Sequence, residues 1–378
     1  MVNTVVVGLG RSGQGAARLL RATGHRVAVI DSGQSEQIEQ KAEGLRQQGV
    51  EVQLQAPLAI DSFRPWLDQL QRVVISPGIP WDHPTLQDLR QRDVAVDGEM
   101  AVAWDALKHI PWVGITGTNG KTTVTHLLSH VLCQAGLAAP MGGNMGVSAA
   151  EMALTLQQEQ TCAPDWLVME LSSYQIEAAD RIRPRIGIWT TLAPDHLERH
   201  GTVEAYRAIK RGLLERSDHA IFNADDPDLR QQRQSWTGGT WVSAESAQPD
   251  GQPADLWING EGWVCDRSQP LFPAEALAMP GSHNRQNLLL VTAAARQIGL
   301  SPASIEAGLR SFPGVPHRLE PLGRIRNAQV FNDSKATNYD AAAVGLKAMQ
   351  GPVVVLAGGS TKQGDASGWL EELNRKAC

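Results

Sequence analysis

Residues 114–123 read Gly114-Ile115-Thr116-Gly117-Thr118-Asn119-Gly120-Lys121-Thr122-Thr123, between an apolar stretch and a helical pattern over 124–135. Glycines in such a loop let backbone N–H groups turn inward around phosphate oxygens, and the helix N-terminus adds positive partial charge. Lys121 can then reach β and γ phosphates, and the Thr122 hydroxyl can bind Mg²⁺. The strict Walker spacing puts a glycine at 115, where isoleucine stands, so the match is to a variant, Gly-Thr-Asn-Gly-Lys-Thr. A plain Gly-rich turn between strand and helix is the competing reading.

A nucleotide loop needs an acid from a neighbouring strand to hold its metal. Glu170 closes the apolar run Trp166-Leu167-Val168-Met169 and sits where α/β sheets place ligands. It also reads as a carboxylate capping Ser172 or the following helix. His196, in Ala193-Pro194-Asp195-His196, follows a further strand; a neutral imidazole can bind metal, and a loop histidine can equally be a surface residue. Lys210, in Tyr206-Arg207-Ala208-Ile209-Lys210, reads by itself as a solvated helix lysine. Gly8-Leu9-Gly10-Arg11-Ser12-Gly13 with Asp31 looks like a dinucleotide fingerprint, but alone it is weak evidence for NAD. Tight strand–helix packing without a ligand would produce the same glycines.

These groups need a scaffold, and the patterning supplies one. Strands over 5–7, 26–30 and 73–75 alternate with a helix over 12–23, and further strands fall near 112–116, 166–169, 186–190 and 220–223. Alternating βαβ units imply a parallel sheet. The segment 231–270 is rich in Trp, Ser, Gly and Pro. Its Asn259-Gly260, between apolar runs, signals a hairpin, so it reads as a β-insertion. Beyond Pro313-Gly314, a strand over 329–331, a helix over 340–349, a strand over 353–356 and a helix over 369–375 are expected. The boundaries are 1–98, 99–313 and 314–378, with Asp97-Gly98-Glu99 as the first hinge. The last block is small for a doubly wound domain and is expected to be incomplete and marginal.

With 378 residues, 42% apolar and 20% charged, the chain is an ordinary globular α/β protein. A net charge of −6 excludes a globally basic surface for nucleic acid. An anionic ligand must meet local cations or backbone N–H groups. Cys133, Cys162, Cys265 and Cys378 lack the spacing of a zinc or redox motif and fit a reducing cytoplasm. The N-terminus lacks the basic region of a signal peptide, and no apolar run approaches the roughly 18 residues a membrane span needs.

Taken in order, Gly117-Thr118-Asn119-Gly120-Lys121-Thr122, Glu170-Leu171-Ser172-Ser173-Tyr174-Gln175, Asp195-His196, Tyr206 to Lys210, Asn223-Ala224-Asp225-Asp226, Gly281-Ser282-His283-Asn284, Pro316-His317-Arg318 and Asn332-Asp333-Ser334-Lys335-Ala336-Thr337-Asn338 resemble the Mur ligase family over essentially the whole chain. The last motif, with Gly8 to Gly13 and Ser76-Pro77-Gly78-Ile79, is similar to the member that adds D-glutamate. The resemblance implies three domains: an N-terminal Rossmann-like domain, a central P-loop ATPase domain with a parallel sheet, and a C-terminal Rossmann-like domain. It implies ATP-dependent joining of D-Glu to UDP-MurNAc-L-Ala through an acyl phosphate, in a cytoplasmic monomer without nucleic-acid or membrane partners.

Residue by residue, it implies ATP at Gly117, Thr118, Asn119, Gly120, Lys121, Thr122, Thr123, Asn284, Asn287, Arg318 and Asp333. The UDP substrate would meet Gly10, Arg11, Ser12, Asp31, Ser32, Ser76, Pro77, Gly78, Asn144 and His196, and D-Glu would meet Lys335, Thr337 and Lys362. Two Mg²⁺ ions would be held by Thr122, Glu170, His196 and a carbamylated Lys210; Lys121, Glu170, His196 and Lys210 are the implied catalytic set. The family's late Ser-Pro-Ala loop is missing before Cys378; Ser301-Pro302-Ala303 opens a central helix instead. Alternatives are another Mur-type or folylpolyglutamate-type amide ligase, a non-catalytic binder of the UDP substrate, and an NAD-dependent dehydrogenase.

Overall fold

The computed structural model describes residues 2–158, 163–359 and 365–376. Short valine-rich runs alternate with helices from the start: β1 (Thr4–Val7), α1 (Arg11–Ala22), β2 (Val27–Ile30), α2 (Glu36–Arg46), β3 (Glu51–Gln53), β4 (Arg72–Ile75), α3 (Pro84–Gln91) and β5 (Ala95–Gly98). The strands pair in parallel in the order β3-β2-β1-β4-β5. Parallel strands are joined by crossovers that cover both faces, so β1 and β2 are buried at every position. Phe63, Trp66, Leu86 and Leu89 belong to this sheet's core.

Helix α4 (Glu99–Leu107) follows β5 directly. Then come β6 (Trp112–Thr116), α5 (Lys121–Gln134), β7 (Met141–Gly143), α6 (Ala149–Gln158), β8 (Leu167–Glu170), α7 (Ser173–Glu177), β9 (Ile186–Trp189), α8 (Leu197–His200), α9 (Val203–Glu215) and β10 (His219–Asn223). Strands β10-β9-β6-β8-β7 are parallel neighbours in that order. The segment expected to be a hinge is clamped. Asp97 accepts from Arg72 Nε at 2.7 Å and from both Arg181 terminal nitrogens at 2.5 and 3.0 Å.

The described chain forms two compact units. The first holds 1–121, 136–222 and 234–239; the second holds 122–135, 223–233 and 240–378. The second unit contains α10 (Pro227–Gln231), β11 (Thr240–Ser243), β12 (Leu256–Ile258), β13 (Trp263–Asp266), β14 (Gln269–Pro273), α11 (Ser282–Ile298) and α12 (Pro302–Arg310). Asn259 Oδ1 accepts from the Glu261 and Trp263 amides, and β12 and β13 pair antiparallel across that turn, as Asn259-Gly260 foretold.

The chain continues through β15 (Glu320–Ile325), β16 (Ala328–Asn332), α13 (Tyr339–Ala348) and α14 (Ser367–Lys376). Here the structure corrects one expectation. Residues 353–356 form no strand; Val354 and Leu356 are 76% and 97% exposed. An apolar run becomes a strand only when a neighbour takes its hydrogen bonds. Among the described residues β15 and β16 pair only with each other, as an antiparallel hairpin rather than a parallel sheet.

Candidate active site

The phosphate loop begins where β6 ends. A Cβ on Gly117 would lie 2.0 Å from Thr190 Oγ1, and its φ of +148° suits glycine, so no other residue fits this turn. The segment after β9 fixes the loop. Thr118 N donates to Thr191 O at 2.9 Å, Asn119 N donates to Thr191 Oγ1 at 2.9 Å, and Thr190 Oγ1 donates to Asn119 O at 2.5 Å. Thr118 Oγ1 also lies 3.2 Å from the hydroxyl of buried Tyr206 on α9.

Lys121 folds back over this loop, its Nζ donating to the Gly117 and Thr118 carbonyls at 2.8 Å each. Lys210 is 1% exposed, so the reading of a solvated lysine is overturned. It shares the buried stripe of α9 with Tyr206, Leu213 and Leu214, whose spacing places them on one face. Its Nζ donates to Gly117 O at 3.0 Å and Thr116 Oγ1 at 3.3 Å, and lies 4.6 Å from the Tyr206 ring centre. Burial, then repulsion from Lys121, drives its pKa well below the usual lysine value, against attraction from Asp195 and Glu170.

Glu170 ends β8, 2% exposed, and its Oε1 accepts from Asn144 Nδ2 at 2.9 Å. It is not a helix cap: Ser172 caps α7, in a capping box with Gln175. His196 opens α8 at φ +54°, a left-handed conformation that costs a histidine free energy. Its Nδ1 lies 3.1 Å from the Tyr174 hydroxyl and its ring packs on Tyr174. The His200 side chain is shielded from solvent and bonded to Ser173 Oγ at 2.9 Å; burial first, then the Arg199 charge, push it down to about 4. Tyr174 and Tyr206 lie inside motifs quoted above, without a role assigned to them there, and His200 lies outside every motif.

A cleft of about 280 Å³ in the first unit is lined by Gly10, Arg11, Ser12, Ser76, Pro77 and Asn144, together with Gly143, Ser148 and Gln175. It brings six of the expected substrate residues together. Helix α1 opens onto this wall with no side-chain cap and no acid in its first turn, which suits an anion. Gly13 packs inward, where a Cβ would meet Gly8 O at 1.9 Å. Asp31 is engaged in the loop itself, accepting from Leu9 N at 2.6 Å and Gly33 N at 2.7 Å. Asp31, Ser32, Gly78 and His196 are not among the lining residues of this cleft.

Thr122 and Thr123 continue α5 in the second unit, Thr123 buried. There Asn284 and Asn287 are buried on α11, with Asn287 Nδ2 donating to Asn284 Oδ1 at 3.1 Å. Asp333 accepts from Leu319 N at 3.1 Å; burial raises its pKa, opposed by Arg318. Lys335 and Thr337 are exposed, and Lys362 lies outside the described residues. Among the described residues no group of three or more His, Cys, Asp or Glu could hold a metal, and no helix is long and apolar enough to cross a membrane.

Residues 2–98 match the family model of the Mur ligase MurD-like N-terminal domain, and 115–295 match the Mur ligase middle domain. A UDP-N-acetylmuramoylalanine–D-glutamate ligase of Parasynechococcus marenigrum is 94% identical over all of this chain and 82% of its own length. A Prochlorococcus marinus protein of the same name is 51% identical over 99% of this chain and 80% of its own length. The fold is similar to the UDP-N-acetylmuramate–alanine ligase of Thermotoga maritima, with TM-score 0.56, 21% identity, and coverage of 92% of this chain and 77% of that one. The chain belongs to the Mur ligase family.

Proposed function

We infer that this chain is an ATP-dependent carbon–nitrogen ligase that adds D-glutamate to UDP-MurNAc-L-Ala. The observation that carries the reading is the convergence of Lys121 and Lys210 on the Gly117 carbonyl of the phosphate loop, in a chain 94% identical to a ligase of that name. A carboxylate is a poor electrophile. Transfer of the γ-phosphate of ATP to the terminal carboxylate gives an acyl phosphate and ADP. The D-Glu amine then attacks the acyl carbon, phosphate leaves, the nitrogen loses a proton, and an amide remains. Lys121 opposes the charge on the transferring phosphoryl group, and the loop N–H groups orient it.

Mg²⁺ takes few protein oxygens and shares phosphate oxygens, which fits Glu170, a buried hard donor at a strand end, and the Thr122 hydroxyl. When bound, the ions neutralise phosphate charge. His196 would serve a second ion. We place a carbamate on Lys210: only a neutral amine adds CO₂, releasing one proton, and burial beside Lys121 favours the neutral amine. The cleft of Gly10, Arg11, Ser12, Ser76, Pro77 and Asn144 takes the UDP substrate, with Asp31, Ser32 and Gly78 supporting it. Asn284, Asn287, Arg318 and Asp333 serve the nucleotide; Lys335, Thr337 and Lys362 serve D-Glu. The domains run 1–98, 99–313 and 314–378, in a cytoplasmic monomer without a membrane partner.

Phosphate release with ATP, Mg²⁺, UDP-MurNAc-L-Ala and D-Glu tests the reading. Release must require both the UDP substrate and D-Glu; release indifferent to the UDP substrate overturns it.

A further inference from the structure

Glu99 opens α4 and is 1% exposed, yet no part of the reaction above uses it. Its Oε1 accepts from the Ala150 amide, 51 residues away, at 2.6 Å, while Oε2 is buried without a hydrogen bond. Ala150 lies in the first turn of α6, where backbone N–H groups have no partner inside the helix. Ser148, just before that turn, lines the 280 Å³ cleft with Gly143 and Asn144. Its Oγ accepts from Glu151 N at 3.3 Å. Helix α1, which carries Gly10, Arg11 and Ser12, packs on α6: Arg18 pairs with Glu151 at 3.0 Å and Arg11 donates to Gly146 O at 2.7 Å. A Cβ on Gly15 would lie 2.8 Å from Ser148 Oγ, so α1 leaves this serine no room to drift.

We propose that Glu99 is a positioning residue for the UDP-substrate cleft: its carboxyl holds the first turn of α6, and through it Ser148 and the 143–148 loop, in register with the Gly10–Ser12 wall. This rests on the reading of the cleft as the UDP-substrate site. The hydrogen bond calls for an acceptor, not a charge, so glutamine can replace the acid. Burial agrees, raising this carboxyl to about 7 against the Ala150 amide and the Ser148 hydroxyl, with Glu151 adding repulsion.

The test measures UDP-MurNAc-L-Ala and ADP binding by calorimetry for wild type, Glu99→Gln and Glu99→Ala, with hydrogen exchange over 146–153. Glu99→Ala should weaken the UDP substrate about tenfold, as expected when one buried acceptor is lost. It should leave ADP unchanged and raise exchange over 146–153. Glu99→Gln should restore the wild-type values. If Glu99→Ala does not fold, Glu99→Leu refills the volume while offering no acceptor, and the same pattern is required of it. Equal affinity in wild type and the alanine or leucine variant overturns the proposal. So does parallel weakening of ADP, or a glutamine variant as weak as alanine. Wild type that binds ADP but not UDP-MurNAc-L-Ala overturns the reading of the cleft instead.

Discussion

Lys121 and Lys210 donate to the same oxygen, the carbonyl of Gly117, at 2.8 and 3.0 Å. Two lysine amines are thus brought to one turn of backbone, one on the phosphate loop and one from a helix 89 residues later. Burial and the Lys121 charge together disfavour the charged form of Lys210, which leaves Lys121 as the cation facing arriving phosphate.

Lys121→Ala should therefore cut phosphate release by about a thousandfold or more, the scale seen when a group stabilising transition-state charge is removed. The KM for UDP-MurNAc-L-Ala should barely move. Steady-state assays varying each substrate check this. A large KM change with normal kcat would mean that Lys121 serves binding alone.

Lys210 separates stability from activity. Burying a lysine amine costs folding free energy, here mainly as the proton it must give up on burial, so Lys210→Met should raise the thermal midpoint in carbonate-free buffer. Activity should be lost in Lys210→Met and Lys210→Ala, and small carboxylates should partly restore the alanine variant by standing in for a carbamate. Full activity of Lys210→Ala without additives refutes the carbamate role.

Glu99 should write itself into the pH dependence of stability. Its folded-state pKa, about 7, lies above the reference 4.5, because burial disfavours the charged form. The folded chain therefore holds this proton more tightly than the unfolded chain. Its contribution is full below about 4.5, is lost as pH rises towards 7, and stays lost above. Glu99→Gln removes that dependence. Relative to wild type it should gain on the order of 2–3 kcal/mol by pH 8, and the gap should close near pH 4. Urea melts across this range measure it; a gap that widens on acidification would reverse the sign.

The clamp on Asp97 should prove structural. Arg72 and Arg181 converge on this carboxylate, and both also reach Asp105. Asp97→Ala leaves two partly buried guanidiniums short of their acceptor and should cost about 3 kcal/mol. Chemical denaturation reads the loss directly. A change within error would show that Asp105 alone suffices.

Local chemistry was readable wherever it is written in adjacent residues. The phosphate loop, the Asn259 turn and the strand ending on Glu170 each depend on a few neighbouring positions. The strand expected over 353–356 failed for the opposite reason. Its residue types suit a strand, but a strand is completed by hydrogen bonds from elsewhere, and among the described residues the Val353 amide alone finds a distant partner, donating to Lys376 O at 2.8 Å, while Val354 and Leu356 stay exposed. Lys210 read as solvated because lysine usually is; its burial follows from Tyr206, Leu213 and Leu214 sharing its helix face.

The sequence alone determined the α/β class, the loop that cradles phosphate and the order of motifs that marks the family, since backbone turns and periodicities are properties of short segments. Tertiary structure decided the rest. It set two lysines on one carbonyl, buried Glu99 against an amide 51 residues away and drew Asp97 between two arginines. Each of these unions spans a crossover of the parallel sheets, so its free energy comes from burial and electrostatics between segments that no window of sequence contains together.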